Sequence, residues 1–391
     1  MNAICNNKLK IAISLSWLVV ILFNSCTKKD AFIAALVKPK IISFTATAGY
    51  TGDSIIISGT NFGGVGRVSF GGINAISFQV LNLTSIKAFI GAGTSGFITI
   101  ISAGGKDSLT GFTYLGIKPI DGYIYSDSVE ASSLLAHWSF NGNDSEMVHQ
   151  SIPILRGSAS LYVDGKIGQA LHLTNNWLTF PVKAAGTSVA NNSAVTSDIL
   201  KDGFTLSMWA QLPDTSLTTN LFQLSVSSIP NFPVLGLAYQ KHFADNSFDM
   251  LGSIGNSVAA STILTKQDAF RFAVFSDTLA WAFLAMVYNP MDKSLNYYAN
   301  GTLKSSINLS SLGTNNPFPT GNEPFLMATP NYATIGTFES AATTPNDISL
   351  TVIPASLSSS LTGNLDDIRL FNKPLPAKKI NDLYLLGNLG R

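Results

Sequence analysis

The nine residues Gly363-Asn364-Leu365-Asp366-Asp367-Ile368-Arg369-Leu370-Phe371 carry a clear fold signal in this chain. Apolar and polar side chains alternate through most of them, which is the two-residue period of a β-strand with one buried face. On a regular strand, Asp366 lies on the same face as Ile368 and Leu370, and Asp367 shares the opposite face with Arg369. We therefore expect a strand with a carboxylate on its apolar face and a two-apart ion pair on the other.

Similar strand-like stretches recur along the chain and are separated by turns rich in Gly, Asn and Asp. They are residues 54–59, 67–72, 96–101, 134–140, 203–212, 282–288 and 295–301. The only stretch that predicts a convincing helix is 376–385, which is short. Many short strands with turn signals between them predict an all-β protein built from sandwiches.

The composition limits the classes of function. Only 12% of the 391 residues are charged, against roughly 25% in an average soluble protein. The 24 Lys and Arg almost balance the 23 Asp and Glu, so the net charge is +1. A chain with so little net charge has no strong positive electrostatic potential to attract nucleic acid or anionic lipid, and we expect neither as a partner. With 46% hydrophobic residues, the chain can bury a large core and is not expected to be disordered.

The N-terminus has the features of an export signal. Lys8 and Lys10 precede the uncharged run 11–23, which is shorter than the roughly 20 residues of a membrane-spanning helix. The run ends in Leu-Phe-Asn-Ser-Cys26, which resembles a bacterial lipobox, although the family prefers Leu where this chain has Phe23.

The lipobox resemblance implies a signal peptide over 1–25, a lipid anchor on Cys26 and a tether over 26–38. The protein would then be an exported outer-membrane lipoprotein, periplasm-facing or at the cell surface, that touches the membrane only through its anchor. An ordinary cleaved signal with an incidental Cys is the alternative. Cys5 lies inside the signal, so the exported chain would have one thiol and no internal disulfide.

Residues 39–115 resemble an IPT/TIG domain, an immunoglobulin-like module. The resemblance rests on four motifs, of which Gly59-Thr60-Asn61-Phe62 is the most specific; the motifs are 41–44, 49–53, 57–62 and 68–72. It implies an Ig-like β-sandwich. From the residues themselves we expect Asn61 and Gly59 to supply turn conformations and Phe62 to plug one end of the sandwich. It also implies a spacer role, with ligand binding as the alternative. The stretch 116–131 is interpreted as a linker.

Residues 132–391 resemble the laminin-G-like, concanavalin A-like jelly roll. Five motifs occur in the order of that family: 138–144, 165–171, 204–209, 297–301 and 363–375. The resemblance implies a larger β-sandwich. Two stretches, 182–202 and 313–361, depart from the family and are interpreted as long loop insertions, the second with a strand near 349–353. Long loops on a sandwich are common places for binding sites.

A carboxylate on an apolar strand face needs a partner, because burying it alone costs several kcal/mol. Calcium is one such partner, and members of the jelly-roll family often hold a structural Ca²⁺. Asp366, with Asp144 from the turn at 141–144, is the candidate ligand pair. The alternative is that Asp366 accepts hydrogen bonds from turn amides and Asp144 only shapes its turn.

The aromatic residues fall into two groups. Trp138, Trp209 and Trp281 lie in alternating apolar strands and are predicted to be core. The candidates for exposed rings that stack on sugars are Trp177, Tyr239 and Tyr297, with Phe248 and Tyr288 as further candidates. Which face each ring occupies depends on the strand register.

Catalytic motifs are absent from the sequence. Glycoside hydrolases of this fold use paired carboxylates, often spaced as Glu-x-Asp-x-x-Glu, and none of the four glutamates has such a neighbour. The four histidines show no zinc spacing. Catalysis by residues distant in sequence stays open. The absence of these motifs predicts a non-catalytic protein. The resemblance to the jelly-roll family implies that it binds carbohydrate, or alternatively that it is a protein-binding, adhesion or structural surface module.

Overall fold

The computed structural model describes residues 37–174, 176–181, 202–212, 218–225, 233–242, 247–254, 268–272, 280–311, 332–337 and 358–391. The predicted signal peptide 1–25, Cys26 and most of the tether 26–38 lie outside these residues. The chain divides into two compact units, Met1–Pro119 and Ile120–Arg391. Both are built from largely antiparallel sheets, with one parallel pair in each unit (Ala48–Gly49 with Gly105–Tyr114, and Thr218–Ser225 with Ser358–Ser359), which confirms the all-β fold class. None of the helices in the described ranges is long and apolar enough to cross a membrane.

The first unit is a sandwich of two sheets. One sheet has the strand order β1-β3-β7-β6 and the other β2-β9-β8-β4-β5, where the strands are β1 Lys40–Thr45, β2 Ala48–Gly49, β3 Ser54–Thr60, β4 Val65–Phe70, β5 Ile73–Asn74, β6 Ser77–Asn82, β7 Ser85–Phe89, β8 Gly96–Ser102 and β9 Gly105–Tyr114. The inward positions of both sheets form one apolar cluster that includes Ile57, Phe70 and Ile100. The alternation seen in the sequence is therefore the alternation between core and solvent.

The Gly-Thr-Asn-Phe motif closes one end of this sandwich. Asn61 has a left-handed backbone (φ 62°), a conformation that Asn tolerates better than most residues. It leads into a 3₁₀ turn, Phe62–Gly64, whose Phe62 is completely buried. The expected end plug is thus observed. Gly59 is needed for a different reason, because a Cβ there would lie 2.0 Å from the Lys40 carbonyl oxygen.

The second unit is a larger sandwich with one helix in its described part. Its strands are β10 Leu134–Trp138, β11 Leu155–Arg156, β12 Leu161–Asp164, β13 Gln169–Thr174, β14 Leu178–Pro181, β15 Phe204–Gln211, β16 Thr218–Ser225, β17 Pro233–His242, β18 Ser247–Ile254, β19 Asp268–Phe272, β20 Ala282–Asn289, β21 Ser294–Ala299, β22 Thr302–Asn308, β23 Tyr332–Ile335, β24 Ser358–Ser359 and β25 Thr362–Phe371. The helix, α1, is Ala377–Asn388. It was predicted at 376–385, so its end is three residues later than expected.

Two eight-stranded sheets enclose the main core of this unit. The first has the order β12-β13-β25-β15-β20-β21-β22, with β10 also paired to β25. The second has the order β11-β14-β23-β16-β17-β18-β19, with β24 paired to β16. Trp138 from the first sheet packs against Phe180 and Phe222 from the second, with ring centroids 5.4 and 5.5 Å away. The prediction that Trp138 belongs to the core is confirmed.

A second apolar cluster covers the outer face of the first sheet. Trp209 points outward from β15 and stacks on Tyr384 of α1, with ring centroids 5.8 Å apart. The helix can lie this close because residue 387 is glycine; a Cβ there would be 2.4 Å from Trp209 Nε1. Trp281 packs, partly buried, against the same cluster. Strand β15 is therefore buried on both faces, as its sequence Phe-Thr-Leu-Ser-Met-Trp allows.

The structure corrects two expectations about segment boundaries. The division of the chain lies after Pro119, so residues 120–131, interpreted as linker, belong to the second unit. They are held there because Val129 is buried in the outer cluster with Phe371. Strand β23 falls inside the stretch 313–361 that was interpreted as an insertion, yet it lies between β14 and β16. The strand near 349–353 and most of 182–202 fall outside the described residues.

Candidate functional site

A β-bulge on β25 sets up the candidate site. Ser207 pairs with Arg369 and Trp209 with Asp366, so Asp367 and Ile368 together oppose the single residue between them on β15. Asp367 is the bulged residue, with a left-handed φ of 51°. A bulge of this kind inserts one residue and shifts the alternation of every residue beyond it.

Because of the bulge, Asp366 lies on the opposite face of β25 from the one predicted. Leu365, Ile368 and Leu370 all join the inner core, whereas Asp366 lies opposite the outward-pointing Trp209. Asp366 therefore faces outward and not with Ile368 and Leu370. An unbroken two-residue period could not predict this, because the extra residue resets the period within the strand.

The predicted ion pair between Asp367 and Arg369 is confirmed and is part of a buried network. Asp367 Oδ1 accepts from Arg369 Nε (2.9 Å) and Nη2 (2.8 Å) and lies 2.7 Å from His137 Nε2. Burial alone would raise the pKa of Asp367, but the Arg369 charge and the bonds from His137 and Arg369 outweigh it and lower the pKa to about 2. Asp367 is thus a permanent anion at neutral pH.

Residues 120–131, which were interpreted as a linker, contribute the other side of this network. A 3₁₀ turn, Ser126–Ser128, places Ser126 Oγ 2.9 Å and Asp127 Oδ1 2.6 Å from Arg369 Nη2. Lys373, just beyond β25, pairs with Glu130 in the same segment. These contacts span more than 240 positions in sequence, which is why no local pattern indicated Asp127 as a site residue.

A cleft of about 130 Å³ opens above this network. His137, Asp367 and Arg369 are its buried part. Tyr125, half exposed at 52%, and the exposed Asn141 also line it. A ligand entering the cleft would meet an aromatic ring, an amide, carboxylates and a guanidinium in a small volume. That mixture suits a polar organic ligand with several hydroxyl groups.

Asp366 supports one wall of the cleft without lining it. Its Oδ2 accepts from the backbone amides of Lys166 (2.7 Å) and Ile167 (2.8 Å), and Ile167 lines the cleft. The alternative interpretation of Asp366, bonding to turn amides, is the one observed. Burial raises the pKa of Asp366 to about 7, and the neighbouring Asp367 charge acts in the same direction. Hydrogen bonds from the backbone amides of Ile167, Lys166 and Asp367 oppose this rise.

The raised pKa of Asp366 predicts a pH-dependent contribution to stability. Between about pH 3.8 and pH 7 the folded state binds a proton that the unfolded state releases, so this contribution is full below pH 3.8 and is lost as the pH rises to 7. We expect the free energy of unfolding of Asp366→Asn not to show this loss. Over this pH range the wild type should lose up to about 1.4 kcal/mol more per pH unit than the variant. Urea unfolding of both proteins from pH 5 to 8 measures the difference, and parallel curves would contradict it.

The predicted calcium ligands do not come together. Asp144 Oδ2 accepts from Ser160, before β12, whereas Asp366 contacts the turn that follows β12. That four-residue strand spans roughly 13 Å. Ligands of one Ca²⁺ lie about 2.4 Å from the ion and hence within about 5 Å of each other. Asp144 and Asp366 therefore cannot share an ion in this conformation.

A different trio, Asp127, His137 and Asp367, has its ligand atoms within 4.8 Å of one another, alone among the described residues. Arg369 already bonds both of these carboxylates. Its guanidinium supplies the positive charge that a cation would bring, and it competes for the same oxygen atoms. The trio is therefore better explained as an ion-pair network than as a metal centre.

The three residues predicted to stack on sugars differ in their exposure to solvent. Tyr239 and Tyr297 are buried, with 1% and 0% of their surface exposed. They belong to the core between the two sheets, so neither has a face open to a sugar, and these two predictions are wrong. Trp177 is partly exposed, but it packs beside Gly157 and Gly336 and does not line the cleft.

Known proteins resemble this chain only distantly. No family model matches the sequence, and no curated protein does. Solved structures that align with part of the chain include the binding domain of botulinum neurotoxin serotype G (13% identity, TM-score 0.43). Others are domain 4 of AbnA, an extracellular arabinanase from Geobacillus stearothermophilus, in complex with arabinotriose (19%, 0.39), and a SAP-like pentraxin from Limulus polyphemus (13%, 0.32).

The extent of these similarities differs. The alignment covers 65% of this chain and 51% of the neurotoxin domain, so the chain spans about half the length of that structure. For the arabinanase domain the two shares are 64% and 98%, and for the pentraxin they are 46% and 68%. The identities are all below 25% and the TM-scores below 0.5.

Proposed function

We propose that this protein is a non-catalytic carbohydrate-binding protein of the bacterial cell envelope, and that its second unit binds the sugar in the cleft beside Tyr125. The observation that carries the proposal is the composition of that cleft. Sugars are recognised by an aromatic ring that contacts C–H groups, together with planar polar side chains that bond hydroxyl groups. Tyr125 provides the ring, while Asp127, Asn141 and Arg369 provide the polar groups.

The charge states in the cleft support binding without catalysis. Hydrolysis of a glycosidic bond needs a protonated carboxyl group beside a second carboxylate. Asp367, with its pKa near 2, cannot donate a proton at neutral pH. Asp366 has a pKa near 7, but it is completely buried and does not line the cleft. Neither Asp366 nor Asp367 can therefore act as an acid on a ligand in the cleft.

We expect Tyr125→Ala to weaken binding to any glycan that the protein selects on an array by roughly tenfold or more. The ring is half exposed, so the fold should survive, and an unchanged melting temperature checks this. The control is Phe97→Ala, which removes an equally exposed ring (57%) from the first unit. If Trp177→Ala abolished binding and Tyr125→Ala did not, the sugar site would lie at Trp177 instead.

The cellular location in this proposal depends on the lipobox-like sequence that ends at Cys26. In a bacterial host we expect the mature chain to begin at Cys26, to carry acyl chains there and to sediment with membranes, because several acyl chains on one residue bind membranes firmly. Cys26→Ser should move the protein to the soluble fraction, whereas Cys5→Ser should not. Mass spectrometry of the N-terminal peptide is the measurement. An unmodified Cys26 would contradict the lipid anchor and would favour the alternative, an ordinary cleaved export signal.

One observation favours the alternative function, protein binding. Five large apolar side chains are 43–65% exposed between residues 147 and 161: Met147, Val148, Ile152, Ile154 and Leu161. Clustered exposed apolar residues often mark protein interfaces. A negative glycan array, combined with a partner whose binding is lost in Ile152→Ser, would favour this function over sugar binding.

A further inference from the structure

We propose that the cleft beside Tyr125 holds a single uncharged sugar unit at the end of a glycan chain. This inference rests on the proposed carbohydrate-binding function and deepens it by naming the ligand class. It depends on three properties of the cleft: its volume, the balance of its charges and the positions of its unused donors and acceptors.

The volume limits the ligand to about one ring. Pockets for drug-sized ligands enclose roughly 300–1,000 Å³, whereas this cleft encloses about 130 Å³. Its deep side is closed by the buried Asp367 and Arg369. An internal sugar unit has a neighbour at both ends and needs a groove several units long. A terminal unit needs only one exit, through the mouth where Tyr125 is exposed.

The charges lining the cleft balance. Asp127 and Asp367 are acidic, and Arg369 and Arg391 are basic. Arg369 lies within 2.8 Å of both carboxylates, so its positive charge is already compensated. A uronic acid would bring a carboxylate next to Asp127 and Asp367, and a free amino sugar would bring an ammonium group next to the arginines. An uncharged sugar avoids both repulsions.

The polar atoms left over match hydroxyl groups. Arg369 lines the cleft, and its Nη1, a buried atom, has no hydrogen-bond partner among the described residues. Asp127 uses Oδ1 for Arg369, and its side chain is otherwise 72% exposed. Asn141 Oδ1 accepts from the Gln169 amide, which fixes this side chain at the rim. Sugar hydroxyls both donate and accept, so they can satisfy a donor and an acceptor in one site.

The test is a competition experiment with the purified full-length chain in detergent. A glycan found on the array is immobilised, and binding is competed with glucose, galactose, mannose, arabinose and N-acetylglucosamine. Glucuronic acid and glucosamine are the charged competitors. We expect at least one neutral monosaccharide to compete fully, and the charged sugars to compete at least tenfold more weakly. Cleaving the glycan into shorter chains should raise the number of binding sites per gram, because it creates ends.

Two variants connect the result to the cleft. Tyr125→Phe keeps the ring and should keep the competition, whereas Tyr125→Ala should lose it. If the glycan binds through Tyr125 but no monosaccharide competes, or if a charged sugar competes best, the inference is overturned and the proposed function stands. If the array shows no binding, both are overturned.

Discussion

Replacing Arg369 with leucine is expected to lower the free energy of unfolding of the second unit by about 3–5 kcal/mol, the usual cost of removing one partner from a buried ion pair. Arg369 is 1% exposed and contacts the carboxylates of Asp367 and Asp127. Without it, Asp367 is an anion in a buried bulge with only His137 beside it. The segment around Ser126 also loses a hydrogen bond that fixes it to β25.

Urea unfolding of a chain without the predicted signal peptide, followed by tryptophan fluorescence, measures this cost in the second unit, because Trp17 lies in that peptide and residues 37–119 contain no Trp. The matched control is Asp121→Asn, which breaks an exposed pair with Lys378 and Lys379 and should change stability little. Adding Asp367→Asn to Arg369→Leu removes the unpaired charge and should recover part of the loss. A midpoint of Arg369→Leu equal to that of the wild type would show that the network contributes nothing to the fold.

Gly59→Ala is expected to destabilise the first unit by about 3 kcal/mol, at the upper end of the usual cost of overpacking. The new Cβ would lie 2.0 Å from the carbonyl oxygen of Lys40 and 2.5 Å from the ring of Phe62. Strands β1 and β3 would have to separate where Ile41 pairs with Gly59. Because small sandwiches have only about 5–15 kcal/mol of stability, this is a large share of the total.

Thermal unfolding by far-UV circular dichroism should show an earlier transition in Gly59→Ala, while the tryptophan fluorescence of the second unit keeps its midpoint. Gly66→Ala is the control in β4, the next strand along the chain, which lies in the other sheet, since a Cβ there meets nothing within 4 Å. It should be neutral or stabilising by up to about 1 kcal/mol. Equal unfolding midpoints for the two variants would mean that a methyl group at residue 59 fits beside β1 without strain, which would contradict the prediction.

Much of the fold could be predicted from local patterns. The predicted strands that fall within the described residues were found, because alternation of core and solvent positions is encoded by neighbouring residues. The strand predicted near 349–353 lies outside those residues and stays a prediction. Trp138 and Trp209 are core, as predicted. The short helix was also predicted, with its N-terminal boundary within one residue at Ala377. These features depend on residues a few positions apart, which a single sequence displays directly.

The errors share one cause, which is packing that no local pattern shows. Tyr239 and Tyr297 lie in strands of different sheets and meet the same core, so their exposure depended on sheet pairing. The position of Asp366 depended on a bulge that forms only when β25 pairs with β15. Residues 120–131 look like a polar linker, yet they hold Val129 in the outer cluster.

The sequence by itself determined that the described chain is all-β, where most of its strands run and that Asp367 and Arg369 are placed to pair, because these properties follow from side chains two to ten residues apart. Only the tertiary structure decided that Tyr125, Asp127, Asn141 and Arg369 meet in one cleft. The physical reason is sequence distance. Asp127 and Arg369 are 242 positions apart, and their contact exists only after the outer apolar cluster has packed the 120–133 segment against the sheet.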